Sequence, residues 1–371
     1  MSPPKRNAQN DRSTVYHLGP QHEGLTLAAA VKELIPGTSW NKAKHWIAKR
    51  HIQVNGNLCL DEARRVSPKD VLKFFEMPLA KPVETQDLRI AHLDEHLLVV
   101  EKPAGVTSVR NYAERKLSTR RRQLQPTMEE LLPPLLAKIQ RLRWPPLPPK
   151  GMNRGKKHGR SLGDKRQPIQ NAKKIPPELQ VIPVHRLDRD TSGLMLFART
   201  RQAEQKLVGM FRRHTIERDY VGVCLGHVVP QTIESLVVRD RGDGHRGSLP
   251  PDADEALQQS AQRAVTHIVS SEQFVAGPTH QPYSIIRCRL ETGRTHQIRI
   301  HLSELGNMLC GEKIYVRQPG GTLTQDLSGA PRHALHSDHL AFTHPMTGQH
   351  LQLEMLLPKD LRTWLQQLRG S

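Results

Sequence analysis

The chain has 371 residues, enough for two or more domains, and a formal net charge of +19 from 55 Lys and Arg against 36 Asp and Glu. That excess points to a polyanionic partner, nucleic acid before a membrane surface, and away from an enzyme of small neutral metabolites. No apolar run approaches the roughly 20 residues of a spanning helix, the opening "MSPPKRNAQNDR" has no signal-peptide core, and four scattered cysteines argue against a disulfide framework or zinc knuckle.

Residues 1–22 are polar and read as a disordered tail. At Leu27 a helical period begins, with Leu27, Val31, Leu34 and Ile35 on one face, and Pro36-Gly37 ends it. Ser39 is placed to cap a second helix, "WNKAKHWIAKRH", which buries Ala43 and Ile47. Its outer face carries Lys42, Lys44, Lys49 and Arg50, suited to phosphate contact. In "IQVNGNLCL" two short apolar stretches flank Asn55-Gly56, a hairpin signal, and "VLKFF" closes a small unit over 23–76. Residues 77–88 hold two prolines and read as a linker.

Leu97–Val100 reads as a buried strand, followed by a Lys-Pro-Ala-Gly turn. Residues 108–180 carry eighteen Lys and Arg and only five Asp and Glu, most of the chain's positive excess. They read as a basic, mostly disordered insertion that grips nucleic acid. One short helix is predicted in it, over "TMEELLPPLLAKIQRLR", broken at Pro133-Pro134.

Beyond residue 180 the pattern is dense. "GLMLFART" and "IERDYVGVCLG" read as strands, with the helix "RQAEQKLVGMFRRH" between them. More strands follow around "AVTHIVSS", "QFVAG" and "YSIIRCRLETG", then a helix "RTHQIRIHLSELG" ending at Gly306. Residues 334–358 read as a hairpin, and "KDLRTWLQQLR" as a closing amphipathic helix. Many strands without regular βα alternation predict an α+β fold with a large mixed, mainly antiparallel sheet and flanking helices. The chain is read as lacking Walker A, G-x-S-x-G and dinucleotide-binding G-x-G-x-x-G segments. Its 20 histidines form no compact ligand set with cysteine or carboxylate, so no metal is expected.

The densest chemistry lies in "VHRLDRDTSGLMLFART", residues 184–200. On an extended segment Arg186 and Asp188 point the same way. Thr191 and Ser192 offer hydroxyls to a turn, and Gly193 allows close backbone approach. Taken alone, this composition fits an ion pair in a loop.

"VHRLDRDTSGL" resembles the His-Arg-Leu-Asp-x-x-Thr-Ser-Gly signature of the RluA-type pseudouridine synthases. "VVEKPAG", "ERDYVGVCLG", "LETGRTHQIRIHL" and "LHSDHLAFTHP" resemble that family's other motifs, over residues 89–107 and 181–368. The order Ser39, helix, "IQVNG" resembles the alpha-L, or S-four-like, RNA-binding domain that commonly precedes the catalytic domain in this family. The resemblance implies that Asp188 is the catalytic aspartate, Tyr220 the active-site tyrosine and Arg299 the arginine paired with the aspartate. It places Ile298 against the uracil, has Arg186 fill the space of a flipped base, and sets His185 and Arg294 among the substrate-binding residues. The implied reaction breaks the C1′–N1 bond of uridine, turns the base and joins C1′ to C5. It gains no atom and changes no oxidation state, so no cofactor is expected. Asp188 suits three uses: stabilising positive charge on the sugar, attacking as a nucleophile, or removing a sugar proton. Tyr220 is read as a stacking platform or a general base.

Three departures stand out. Arg218 replaces the usual lysine two residues before the tyrosine. In "CGEKIYV", Glu312 and Val316 replace the usual aspartate and glycine, and this segment is expected to lie away from the chemistry and to affect packing only. The long insertion follows the Lys-Pro-Ala-Gly turn and is expected to bear on substrate choice or access. The function expected is a cytoplasmic, monomeric RNA pseudouridine synthase acting on ribosomal RNA, without membrane or DNA partners. Transfer RNA is the alternative substrate. A non-catalytic RNA-binding or ribosome-assembly protein on the same fold, and a base-excising glycosylase, are the alternative functions.

Overall fold

A computed structural model describes residues 13–76, 78–79, 84–110, 125–145, 175–241, 244–277, 280–316 and 324–370. Their contacts divide into two units, one at the N-terminal end and one holding most of the chain after residue 84.

In the first unit the hairpin forms as expected. Asn55 and Gly56 both take positive φ, 54° and 73°, the conformation a two-residue hairpin turn demands. The turn joins β2 (Ile52–Val54) to β3 (Asn57–Leu58). β4 (Val71–Phe75) pairs with β2 and, on its other edge, with β1 (Ser13–His17), giving the order β1-β4-β2-β3. Helices α1 (Leu27–Leu34) and α2 (Trp40–Ala48) are capped by the Thr26 and Ser39 side chains. They bury Leu27, Val31, Ala43 and Ile47 against Ile52 and Leu72. The expected tail is therefore structured from Ser13 onward, and His22 is buried in a short helical turn. β1 escaped the sequence reading because its partner β4 lies far along the chain and three of its five residues, Ser13, Thr14 and His17, are polar. Residues 1–12 lie outside the described residues. α2 is also shorter than expected: it stops at Ala48, and Arg50 takes φ 69°.

The second unit is built on one eleven-stranded sheet. Its strands are β5 (Arg89–Leu93), β6 (Leu97–Lys102), β7 (Ile182–Pro183), β8 (Ser192–Ala198), β9 (Glu217–Leu225), β10 (Gln231–Val238), β11 (Gly247–Ser248), β12 (Gln262–Ala276), β13 (Gln281–Leu290), β14 (Leu335–Thr343) and β15 (His350–Glu354). The order is β11-β10-β12-β13-β9-β14-β8-β6-β5, with β15 on β14 and β7 on β8. Only the β8–β14 pairing is parallel among those described, so the sheet is mixed and mainly antiparallel as expected. β8 is buried at all seven residues, which explains its continuous apolar run. The helices are α3 (Met128–Ile139), α4 (Arg201–Arg212), α5 (Glu255–Ser260), α6 (Gln297–Glu304) and α7 (Lys359–Arg369). α4 buries Ala203, Leu207 and Met210 against β6 and β8, and α7 buries Leu361, Trp364 and Leu368 near β9 and β13.

Three sequence expectations are corrected here. Part of the 108–180 stretch is ordered: α3 runs unbroken through Pro133 and Pro134 and buries Met128, Leu131, Leu132, Leu135 and Leu136. Burial of that face outweighs the two missing backbone donors. The basic runs at 111–124 and 146–174 lie outside the described residues. Of the expected linker, residues 85–87 form a helical turn and Leu88 is buried. Residues 242–247 do read G-x-G-x-x-G, but they connect β10 to β11. A phosphate cradle needs a helix N-terminus after the glycines, and here a strand follows. Residues 242–243 themselves lie outside the described residues.

Candidate active site

The loop from Leu187 to Ser192 is tied down at nearly every residue. The Ser108 hydroxyl donates to the Leu187 carbonyl and accepts from its N–H, at 2.6 and 3.0 Å. Gly105 N–H donates to the Arg189 carbonyl at 2.9 Å. The Arg332 guanidinium donates to the Asp190 carbonyl and the Ser192 hydroxyl, both at 2.9 Å. Thr191 Oγ1 hydrogen-bonds His333 Nε2 at 2.8 Å, and Ser192 Oγ bonds His336 Nδ1 at 3.0 Å. The threonine and serine of the motif thus pin the loop to the strand region that begins β14. Gly193, φ 136°, is needed where β8 meets β14, because a Cβ there would overlap the Ser337 backbone.

Lys102, of the Lys-Pro-Ala-Gly turn, completes the clamp. It is fully buried, and its Nζ donates to the carbonyls of Pro103, Arg189 and Thr191 at 3.1, 3.0 and 2.7 Å. Burial pulls its pKa down to about 7, against the pull of Asp190 and Asp188. Lys102→Met removes three hydrogen bonds to backbone carbonyls, of which that of Arg189 keeps the Gly105 N–H, and we expect a loss of about 2–3 kcal/mol in urea unfolding. A variant as stable as the parent would show that the lysine clamps nothing.

Asp188 projects from this loop into a cleft of about 440 Å³, its side chain 15 % exposed. The size suits a nucleotide-scale ligand. Arg299, on α6 and buried, donates from Nη1 to Asp188 Oδ2 at 3.3 Å. Tyr220, on β9 and 5 % exposed, lines the same cleft, as do Ile298 and Arg186. Burial raises the Tyr220 phenol, while nearby Arg218 and a hydrogen bond with Ser337 pull it back. The structure therefore brings together Asp188, Tyr220, Arg299, Ile298 and Arg186, from three separate stretches of sequence.

His185 and Arg294 also line the cleft, with different duties. His185 Nε2 accepts the Leu196 N–H at 2.8 Å and its ring packs on Phe211, so its acceptor nitrogen is spent on the strand. Burial pulls its pKa down to about 3, which keeps it neutral. Arg294 is exposed, with Nε donating to the Arg263 carbonyl at 3.0 Å.

Glu312 overturns an expectation. It lies at the centre of the site and not away from it. Its carboxylate takes two hydrogen bonds from Arg299, both 2.7 Å, and its side chain is fully buried. It also accepts the N–H groups of Lys313 and Ile314 at 2.9 Å. Arg299 thus stands between two carboxylates, one buried and one open to the cleft. Substituting glutamate for the usual aspartate keeps the charge, and its local backbone bonds hold the carboxylate where Arg299 can reach it.

Two more residues were missed. His296 takes the left-handed conformation, φ 61°, just before α6, so the helix starts later than the sequence pattern suggests. Its Nε2 lies 3.8 Å from Asp188 Oδ1, and its Nδ1 hydrogen-bonds the Tyr315 hydroxyl at 2.7 Å. Burial lowers the His296 pKa, against the pull of Asp188. Tyr315 is pushed up to about 12, chiefly by burial, so it keeps its proton at neutral pH. The available signal was the motif itself: His296 and Tyr315 lie inside the "GRTHQIR" and "CGEKIYV" segments.

A carboxylate hydrogen-bonded to a buried arginine beside a buried tyrosine, in a cleft lined by further arginines, is an arrangement that suits chemistry at the sugar–base linkage of a nucleic acid. A family model described as RNA pseudouridylate synthase matches residues 148–304. The chain is 30% identical over 359 residues to "Ribosomal large subunit pseudouridine synthase D" of Zymomonas mobilis, covering 94% of this chain and 95% of that protein. It is 28% identical to the protein of that description in Nitrosomonas europaea, covering 98% of this chain and 90% of the relative. A solved structure described as "Human RNA Pseudouridylate Synthase Domain Containing 4" aligns with 76% of this chain and 92% of its own, at 20% identity and a TM-score of 0.47. The chain belongs to the RNA pseudouridine synthase family of isomerases.

Proposed function

We propose that this chain converts uridine to pseudouridine in ribosomal RNA of the large subunit, with Asp188 as the reacting carboxylate. The observation that carries the chemistry is Asp188, open to the cleft and hydrogen-bonded to an arginine that is itself neutralised from behind by Glu312. The substrate reading is supported by the likeness to the large-subunit synthases over nearly the full length of both chains.

The target uridine leaves its stack and enters the cleft, with the base against Tyr220 and Ile298. Arg186, on the exposed side, occupies the vacated space. The C1′–N1 bond breaks with its electron pair going to N1, and Asp188 compensates the sugar. It does so by bonding to C1′ or by accepting a sugar proton, and either use needs the anionic oxygen that Arg299 orients. The base turns and C5 bonds to C1′ as Asp188 leaves C1′ or returns the sugar proton. The C5 proton is then lost to water and N1 takes one up, so no atom is gained overall.

The N-terminal unit acts in this reading as an alpha-L RNA-binding module over residues 13–76. Lys42 and Lys44 are exposed on α2 and Lys49 at its C-terminal cap. Lys44 lies 3.6 Å from Glu62, a contact half open to solvent that a phosphate can displace. Arg50 is the exception among the four residues expected here: its Nε donates to the Leu79 carbonyl at 2.9 Å, so it anchors the chain. Replacing the three lysines by alanine should weaken RNA binding and reduce the slope of log K against log salt by about 2–3. An unchanged slope would remove α2 from the interface. We place the reaction in the cytoplasm. No described helix is long and apolar enough to cross a membrane.

The test is pseudouridine mapping of cellular RNA with and without the gene. Loss of one or more large-subunit ribosomal sites, restored by the wild-type gene, is expected. Loss confined to transfer RNA would move the substrate, and no lost site would remove the function.

A further inference from the structure

Arg218 is buried in the cleft wall with no carboxylate near it. It is 7 % exposed, and no ion pair with it occurs among the described residues. Its Nη2 donates to the Leu290 and Glu291 carbonyls, but at 3.4 Å to each, and its Nε has no hydrogen-bond partner. Its plane rests on Phe211, 5.2 Å from the ring centre. Nη1 lies against Gly293 at the cleft wall, so close that a Cβ on that glycine would come within 2.9 Å.

Two of the other buried arginines of this unit have carboxylate partners, while Arg199 has only the Asp94 and Glu178 carbonyls and, unlike Arg218, does not line the cleft. Arg299 has Glu312 and Asp188, and Arg332 has Asp360 at 2.8 Å. An unpaired cation removed from water is unfavourable, so its retention indicates a counter-charge that arrives during function. Strand alternation makes the direction plain. Arg218 and Tyr220 share the cleft face of β9, whereas Asp219 between them turns to the opposite face and pairs with Arg289 at 2.7 Å.

The substrate brings two kinds of negative charge. Phosphates stay on the solvated backbone, where the exposed Arg294 can meet them. The base is the part that enters the wall region beside Tyr220. It arrives neutral and becomes an anion only when the C1′–N1 bond breaks and the electron pair leaves with N1, spreading to O2 and O4. Asp188 balances the sugar at that moment. The charge on the base is consumed when C5 bonds to C1′; loss of the C5 proton then returns an electron pair to the ring, and N1 takes up a proton to give the neutral product.

We propose that Arg218 binds the detached uracil anion, donating to one of its carbonyl oxygens, and so lowers the barrier to C1′–N1 cleavage. The proposal rests on the pseudouridine synthase reading of this site. Such a donor acts on charge that develops in the transition state, so it shows in the rate of reaction and not in RNA affinity.

The experiment uses the full-length chain and target RNA carrying either uridine or 5-fluorouridine, in single turnover, with consumption of the starting nucleoside followed by chromatography after digestion. Fluorine withdraws electrons from the ring, so the fluorinated anion needs less help. Arg218→Met is expected to slow consumption of uridine by about 100-fold. The loss on 5-fluorouridine should be smaller by about tenfold or more, and the RNA Kd and its salt slope should not change. Arg218→Lys, which keeps the charge, should restore most of the rate and guards against a Met variant that misfolds. Equal losses on both nucleosides overturn the proposal. So does a weakened Kd with the salt slope reduced by about 1, which would make Arg218 a phosphate anchor. If the Met variant unfolds, an Arg218→Lys variant slowed equally on both nucleosides overturns it too. A wild-type chain that consumes no uridine overturns the reading of the whole site.

Discussion

Asp188→Asn should abolish pseudouridine formation, by at least about 10⁴-fold, and leave the fold intact. The asparagine has nearly the shape of the aspartate but neither bonds to C1′ nor takes a sugar proton. Stability should change little, because the loop is held by other groups: Lys102, Ser108, Arg332 and His333 all grip backbone or neighbouring hydroxyls. Arg299 also keeps its two bonds to Glu312 when the Asp188 charge is lost. Thermal unfolding and single-turnover assays on the same preparation check both halves. Activity within tenfold of the parent would show that another group does the chemistry.

Glu312→Gln should be among the most destabilising single changes in the catalytic unit, at about 3–5 kcal/mol. It removes the charge that offsets Arg299 in a fully buried pair. Activity should fall as well, since Arg299 would lose the partner that fixes its plane toward Asp188. The pH dependence gives an independent check. Burial pushes the Glu312 carboxyl up, but the hydrogen bonds and charge of Arg299 outweigh it and hold the group at about 2, below its ordinary 4.5. A carboxyl depressed in the folded state stabilises fully above its unfolded value, and that contribution disappears as pH falls from about 4.5 toward 2. Urea unfolding across this range should show the wild type losing stability faster than Glu312→Gln. Parallel curves would mean that the pair is not what the geometry implies.

The sequence carried the site wherever a motif was contiguous. Asp188, Tyr220 and Arg299 each sit in a recognisable segment, and all three meet in one cleft. Glu312 was misjudged because its importance comes from a contact with Arg299, on the preceding helix, and a substitution within a motif says nothing about which side chain it faces. Arg218 looked like a simple charge-conserving change; its lack of a counter-charge is a three-dimensional fact. The same limit applies to structure. The Asn55-Gly56 hairpin is local and was legible, whereas β1 depends on pairing with β4 more than fifty residues away. α3 shows local rules losing outright, because burial of a leucine-rich face holds a helix across two prolines.

The central claim is that this site moves the glycosidic bond from N1 to C5 of a uridine. Ribosomal RNA labelled with tritium at C5 of uridine tests it directly when incubated with the purified chain. The account predicts one tritium released to water for each uridine converted, with the base still attached to the RNA. No release, or the appearance of free labelled uracil, would contradict it.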